Sequence, residues 1–358
     1  MLYHLLYPLH DTISAFNVIR YLTFRSIAAA LTALLLAFIL GPILIRLLED
    51  RQIGQTIRED PPERHQAKAG TPTMGGVLIL GALLLSTLLW SEWTNPYMWL
   101  VVGVTICFGT LGLVDDYQKA IRKNPAGIRA RTKLLYQLLI ASLASLALYN
   151  FPAFDSEVSV PLFKNFHPAI GLAYVPFMMF VVIGASNAVN LTDGLDGLAI
   201  GPVLITASVI GLFAYVAGNH VIADYLEIKY VPGAGTLAMF CAAMVGAGLG
   251  FLWFNTYPAS VFMGDTGALA LGGALGTIAV IIRQELVLAV AGGIFVLEAL
   301  SVILQVVSFK LLGRRIFRMA PIHHHYELKG WPEPQIIVRF WIISIILGLI
   351  SLSLLKLR

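Results

Sequence analysis

The chain has 358 residues, 58% hydrophobic and 12% charged, with a formal net charge of +4 and a mean hydropathy of +0.80. A soluble domain carries about 25% charged residues, so this composition excludes a water-soluble enzyme and makes the bilayer the solvent. No basic stripe with interleaved aromatics runs along any segment, which argues against nucleic acid as a partner.

The first apolar run opens near Tyr21 after a mixed polar start, and no small-residue cleavage pattern follows it. No removable signal peptide is expected. Ten apolar runs follow in order, at about 21–45, 74–91, 97–114, 133–150, 169–186, 198–217, 235–254, 266–282, 286–308 and 336–355. Each approaches the roughly 20 residues needed to cross a hydrocarbon layer about 30 Å thick. Backbone polar groups in lipid must bond within their own segment, and barrel-type alternation is absent, so the runs predict helices. The expected fold is an all-α, polytopic membrane protein with about ten spans in a single domain covering residues 1–358. Cys107 and Cys241 fall inside apolar runs, where a thiol packs as a small hydrophobe, and no disulfide is expected.

Orientation follows from Lys and Arg. Of the 24 basic residues, 17 fall in loops one, three and nine of the nine loops between these helices, and the even-numbered loops hold only Lys164, Lys229 and Arg283. The other four, Arg20, Arg25, Lys356 and Arg358, sit at the chain ends and argue weakly the other way. The odd loops are therefore expected in the cytoplasm, with both termini on the other, periplasmic, side.

Chemically unusual residues collect on the odd-loop side. Loop one ends in a stretch from Lys68 to Gly76 that includes Thr73, helix three ends in Asp115-Asp116, and loop five runs from Asn187 through Asn190, Asp193 and Asp196 to Gly197. Loop seven carries Asn255, Phe262 and Asp265, and loop nine carries His323, His324 and His325. Five segments converging on one face is what a composite site between helices requires.

Two adjacent carboxylates at a membrane boundary repel each other, and either a divalent cation or nearby Lys119 or Arg122 would relieve them. Loop five is glycine-rich and has no basic residue to balance its acids. Capping the next helix needs one Asn or Asp, and this loop has four; the ligand spacing of an EF-hand is missing. Asp265 opens helix eight, where the helix dipole alone would favour an anion. Three carboxylate positions at one interface nevertheless suit metal-assisted phosphoryl chemistry with Mg²⁺. Consecutive helical side chains diverge by about 100°, so three adjacent histidines make a poor zinc site and, beside Arg314, Arg315 and Arg318, suit anionic phosphates better. Glu298 and Gln305, seven apart in helix nine, share a face; Glu298 reads as a structural hydrogen-bonding group and Gln305 as one that reaches a ligand.

These motifs resemble the polyprenyl-phosphate N-acetylhexosamine-1-phosphate transferase superfamily, and within it the phospho-N-acetylmuramoyl-pentapeptide transferase family, over essentially the whole chain. The superfamily signals are Asp115-Asp116, the 187–197 segment and Phe262-Met263-Gly264-Asp265. The narrower ones are the 70–76 segment, the 320–327 segment, Gly330-Trp331 and Arg339-Phe340-Trp341. The resemblance implies transfer of phospho-MurNAc-pentapeptide from UDP-MurNAc-pentapeptide to undecaprenyl phosphate, giving lipid I and UMP, and a homodimer. It implies Asp265 as a Mg²⁺ ligand, with Asp115 and Asp116 near the metal and the lipid phosphate. Lys68, Asn190, Asp193, Asp196, Asn255, Phe262, Gln305, His324 and His325 would line the nucleotide and sugar site, with Phe262 stacking on uracil. A sister transferase using UDP-N-acetylglucosamine differs from this reading only in loop nine. A secondary transporter would instead place its ionisable groups near the bilayer midplane in repeated halves.

Overall fold

The structure is a computed structural model that describes residues 1–51, 70–122, 124, 127–151, 154–163 and 166–356. Lys68 lies outside them.

Fourteen α-helices follow in order among the described residues: α1 (Leu2–Leu6), α2 (Leu22–Asp50), α3 (Gly76–Trp90), α4 (Pro96–Ala120), α5 (Ala130–Tyr149), α6 (Tyr174–Thr192), α7 (Ile200–Ala217), α8 (His220–Leu226), α9 (Thr236–Asn255), α10 (Gly264–Ile281), α11 (Glu285–Ala291), α12 (Gly293–Leu312), α13 (Ile322–Glu327) and α14 (Glu333–Ser353). Nine are long and apolar enough to cross a membrane: α2, α4, α5, α6 with its preceding turn, α7, α9, α10, α12 and α14. The all-α, polytopic expectation holds.

Three details depart from the sequence reading. The second expected span is α3, only 15 residues, or about 22 Å at 1.5 Å per residue. Its start is fixed by the loop before it, which bonds across to residues 262–263: Phe262 N donates to Pro72 O, Gly75 N to Phe262 O and Gly76 N to Met263 O, each at 2.8 Å. The expected span at 286–308 is divided at Gly292 into α11 and α12. Finally, α4 and α6 run further than expected, so Asp115, Asp116, Asn187 and Asn190 lie on helices rather than beyond them.

The bundle is organised around α10, in which every residue from Thr266 to Ile281 is buried. Its sequence is nearly all Gly, Ala, Leu and Thr, so α4 and α6 pack closely against it. Small residues do the same for α2 on α9: a Cβ added to Gly250 would lie 2.4 Å from Ala37 Cβ. Such seams suit helices in lipid, where close van der Waals contact replaces hydrophobic drive. Because α10 is central, Asp265 at its start meets side chains from α4, α5 and α6 at one end of the bundle.

Candidate active site

Asp116 is 3% exposed and spends its carboxylate on the first turn of α10. Its Oδ1 accepts from Asp265 N at 3.0 Å, and its Oδ2 accepts from Thr266 N at 2.9 Å and Thr266 Oγ1 at 2.6 Å. The first N–H groups of a helix have no partner within the helix and carry partial positive charge, so a buried carboxylate there is well placed. Gly264 makes this approach possible: its φ is +74°, and a Cβ would lie 2.7 Å from Asp116 Oδ2.

Asp115 points elsewhere, as neighbours about 100° apart on a helix must. Its Oδ1 accepts from Ile128 N at 2.6 Å, and its Oδ2 lies 2.6 Å from Lys119 Nζ and 3.5 Å from Lys133 Nζ. The two lysines also hold Asp265, whose Oδ2 accepts from Lys119 Nζ at 2.9 Å and Lys133 Nζ at 2.7 Å. Asn190 Nδ2 donates to the other oxygen, Oδ1, at 2.7 Å. The repulsion expected between Asp115 and Asp116 is thus relieved by different partners, and Asp115 shares its cations with Asp265. Arg122, the other cation considered for this role, lies over the Tyr117 ring at 5.9 Å.

Asp193 follows α6 directly and is half-buried. Burial, then the like charges of Asp265 and Asp116, push its carboxyl up to about 8. Asp196 is buried and accepts from Ala259 N at 3.0 Å through Oδ2. Asn255 ties the same loop to the next, accepting from Gly197 N at 2.9 Å and donating to Val261 O at 2.8 Å. Asn187 exchanges hydrogen bonds with Gln137 of α5, at 2.9 and 3.3 Å. Phe262 and Thr73 sit on the paired strips 261–263 and 72–76, both half-buried.

The histidines divide. His323 is 0% exposed and faces Glu298 of α12, whereas His324 Nδ1 pairs with Glu327 Oε2 at 2.6 Å and His325 Nδ1 accepts from Arg318 N at 3.0 Å. Gln305 commits its amide to backbone, donating to Phe317 O at 2.9 Å and accepting from Ile316 N and Phe317 N at 3.0 and 2.9 Å.

Asp115 Oδ2 and Asp265 Oδ2 converge on the Lys119 ammonium, so two carboxylate oxygens already face one site of positive charge. That donor set fits Mg²⁺, which takes one or two carboxylates together with substrate phosphates rather than a closed protein cage. Among the described residues no three His, Cys, Asp or Glu side chains form such a cage.

Sequence reasoning undervalued Lys133, Gln137, Thr266, Glu333 and Trp341. Lys133 counted only towards orientation, and its position at the start of α5 carried no other signal. The spacing of Asp115 and Lys119, four apart, did announce that contact.

Residues 98–283 match the Glycosyl transferase family 4, and residues 68–80 match a phospho-N-acetylmuramoyl-pentapeptide-transferase signature. The chain is 60% identical over 358 residues to the phospho-N-acetylmuramoyl-pentapeptide-transferase of Citrifermentans bemidjiense, with 100% of each chain covered. The enzymes of the same name from Geobacter sp. (strain M21) and Syntrophus aciditrophicus are 59% and 58% identical, again over 100% of each chain. Similarity that runs from end to end, through every segment that meets at Asp265, makes this chain a membrane transferase of the phospho-N-acetylmuramoyl-pentapeptide transferase family.

Proposed function

We propose that the enzyme transfers phospho-MurNAc-pentapeptide from UDP-MurNAc-pentapeptide to undecaprenyl phosphate, giving lipid I and UMP, at the cytoplasmic face of the bacterial inner membrane. The observation that carries this reading is the convergence of Asp115 and Asp265 with two lysines on one point. Such a cluster of opposite charges suits a reaction whose substrates are all phosphates. Asp265, with Asp115 beside it, would hold Mg²⁺, which neutralises charge on the pyrophosphate.

Lys119 and Lys133 bind non-bridging phosphate oxygens and orient the donor. Asp115 orients the lipid phosphate, or takes its remaining proton. An oxygen of that phosphate attacks the donor's β-phosphorus, the bond from the β-phosphorus to the bridging oxygen breaks, and UMP leaves with that oxygen. A phosphate monoester has a second pKa of about 6, so near neutral pH it needs positioning more than activation. Phe262 stacks on uracil, and Lys68, Thr73, Asn190, Asp193, Asp196, Asn255, Gln305, His324 and His325 line the nucleotide and sugar site.

The test is UMP release by purified protein given undecaprenyl phosphate, with either UDP-MurNAc-pentapeptide or UDP-N-acetylglucosamine, in Mg²⁺ and in chelator. Release from the first donor alone, lost in chelator, is expected; release from only the second would overturn the substrate assignment. Rigorously delipidated enzyme given the donor alone should release no UMP, because the lipid phosphate is the attacking group. One UMP per site in that mixture would instead require a carboxylate nucleophile.

A further inference from the structure

Helix α12 carries a polar stripe on an otherwise apolar surface: Glu298, Gln305 and Ser308. Each grips the chain that returns from the end of α12 toward α13. Ser308 Oγ donates to Arg314 O at 2.8 Å, Gln305 holds Ile316 and Phe317, and Glu298 accepts from Ile322 N at 2.9 Å. The returning segment therefore runs antiparallel to α12. Glu298 is 14 residues before Leu312, roughly 21 Å along the helix.

Glu298 is 0% exposed, and an unpaired carboxylate there would be costly. Its second oxygen lies 3.0 Å from His323 Nδ1. A carboxylate oxygen only accepts, so Nδ1 carries the hydrogen and the ring orientation is set by Glu298. The opposite edge of the ring abuts the acid loop: a Cβ on Gly194 would lie 2.3 Å from His323 Nε2. Gly194 stands between Asp193 and Leu195, with Asp196 next.

The loop is held from its other side by α14. Glu333 Oε1 accepts from Asp196 N at 3.0 Å, and Trp341 Nε1 donates to Gly197 O at 3.1 Å. His323, which the sequence grouped with His324 and His325, is thus a wedge between α12 and the acid loop, whereas His324 and His325 lie on the less buried part of α13.

We propose that Glu298 is a positioning residue for the transfer reaction: acting through His323 and the Ile322 amide, it fixes α13 against the Asp193–Gly197 loop, setting His324, His325 and Asp193 at the height the donor requires. This rests on the proposed function, and it places no atom of Glu298 on the substrate.

Glu298→Ala removes both contacts, whereas Glu298→Gln keeps an acceptor for the Ile322 amide and, once His323 takes its other tautomer, a donor for Nδ1. The alanine variant should raise KM for UDP-MurNAc-pentapeptide about tenfold with KM for undecaprenyl phosphate unchanged, and the glutamine variant should stay within about threefold of wild type. His323→Ala should cost a similar factor, and the double variant should be no worse than the worse single one, because the two side chains act as a unit. Hydrogen–deuterium exchange of peptides from 316–328 should rise in Glu298→Ala while peptides of α10 stay protected, a readout that needs no turnover. A silent wild-type enzyme would count against the substrate assignment. Unchanged exchange at 316–328, an unchanged donor KM, or losses that multiply in the double variant would each overturn the positioning role.

Discussion

The two ends of α10 both collect buried charge, yet they are built differently. At the far end, Arg283 is 4% exposed and is clamped against the Phe154 ring at 3.8 Å and the Tyr174 ring at 5.0 Å, with Asp155 Oδ1 at 3.7 Å from its Nε. Tyr174 OH donates to Glu285, and Lys229 closes on Asp155 and Glu157 at 2.6 and 3.0 Å. Aromatic rings enclose the guanidinium, while Lys229, Asp155 and Glu157 share partners at a half-exposed edge. At the Asp265 end, one oxygen of Asp265 is shared by two lysines, and one of them is shared again with Asp115. What differs is the packing: at the far end the guanidinium lies between rings, whereas at the Asp265 end two carboxylates and two ammonium groups meet directly. On the proposed function, the Asp265 end is the one that meets a substrate's phosphates.

The strongest way to break this comparison is at Asp265. Asp265→Asn keeps the shape and loses the charge, and transfer should fall by roughly a thousandfold, about 4 kcal/mol at 1.36 kcal/mol per decade. The melting temperature in detergent should change little, because the amide still accepts from a lysine. Retained UMP release at saturating Mg²⁺ would remove Asp265 from the metal site.

Arg283→Met asks the converse at the other end. It strips the guanidinium from the Phe154 and Tyr174 rings and should lower stability by about 2 kcal/mol, the size of a desolvated cation–π contact, with Lys229 still paired to Asp155. The surviving folded enzyme should turn over within about twofold of wild type. A large loss of kcat without loss of melting temperature would mean that the far end takes part in the reaction.

How much of this was legible in sequence depends on whether a residue's partner lies nearby along the chain. The apolar runs announced the helical class, and the five polar segments, which lipid leaves few places to go, contact one another at one end of the bundle. The shared face of Glu298 and Gln305 followed from a spacing of seven. The span of α3 was legible to within two residues at its start, but the pairing of the loop before it with residues 262–263, nearly two hundred positions away, was not. Nor was the division of labour between Asp115 and Asp116, which depends on where α10 begins in space. Lys133 and Arg283 both looked like orientation markers; only packing shows that one joins Asp115 and Asp265 and the other lies between Phe154 and Tyr174.

Lys133→Met sharpens the comparison within the reactive end. It removes one of the two cations on Asp265 Oδ2 and leaves Lys119, so activity should fall about ten- to hundredfold, the range for one charge-assisted hydrogen bond of roughly 1.5–3 kcal/mol. Because Lys119 still neutralises Asp265, stability should fall less than in Arg283→Met. If kcat and the donor KM both remain at wild-type values, the sharing of cations has no bearing on phosphate binding.

The smallest expected effect is a slope. Burial above all pushes Glu285 up from 4.5 to about 7, against the opposing hydrogen bond from Tyr174 and the charge of Arg283. Between these two values the folded protein holds a proton that the unfolded chain has released. Proton linkage then makes this group's contribution to stability complete below about pH 4.5 and progressively lost as pH rises towards about 7, with no further change above. Glu285→Gln has no proton to lose. The melting temperature of the wild type should therefore fall relative to the variant between pH 5 and pH 7 and run parallel to it above about pH 7.5, while turnover of the two proteins stays equal. Parallel curves across the lower interval would show a carboxylate already ionised there, and the far end would then hold its charges as openly as the end that carries Asp265.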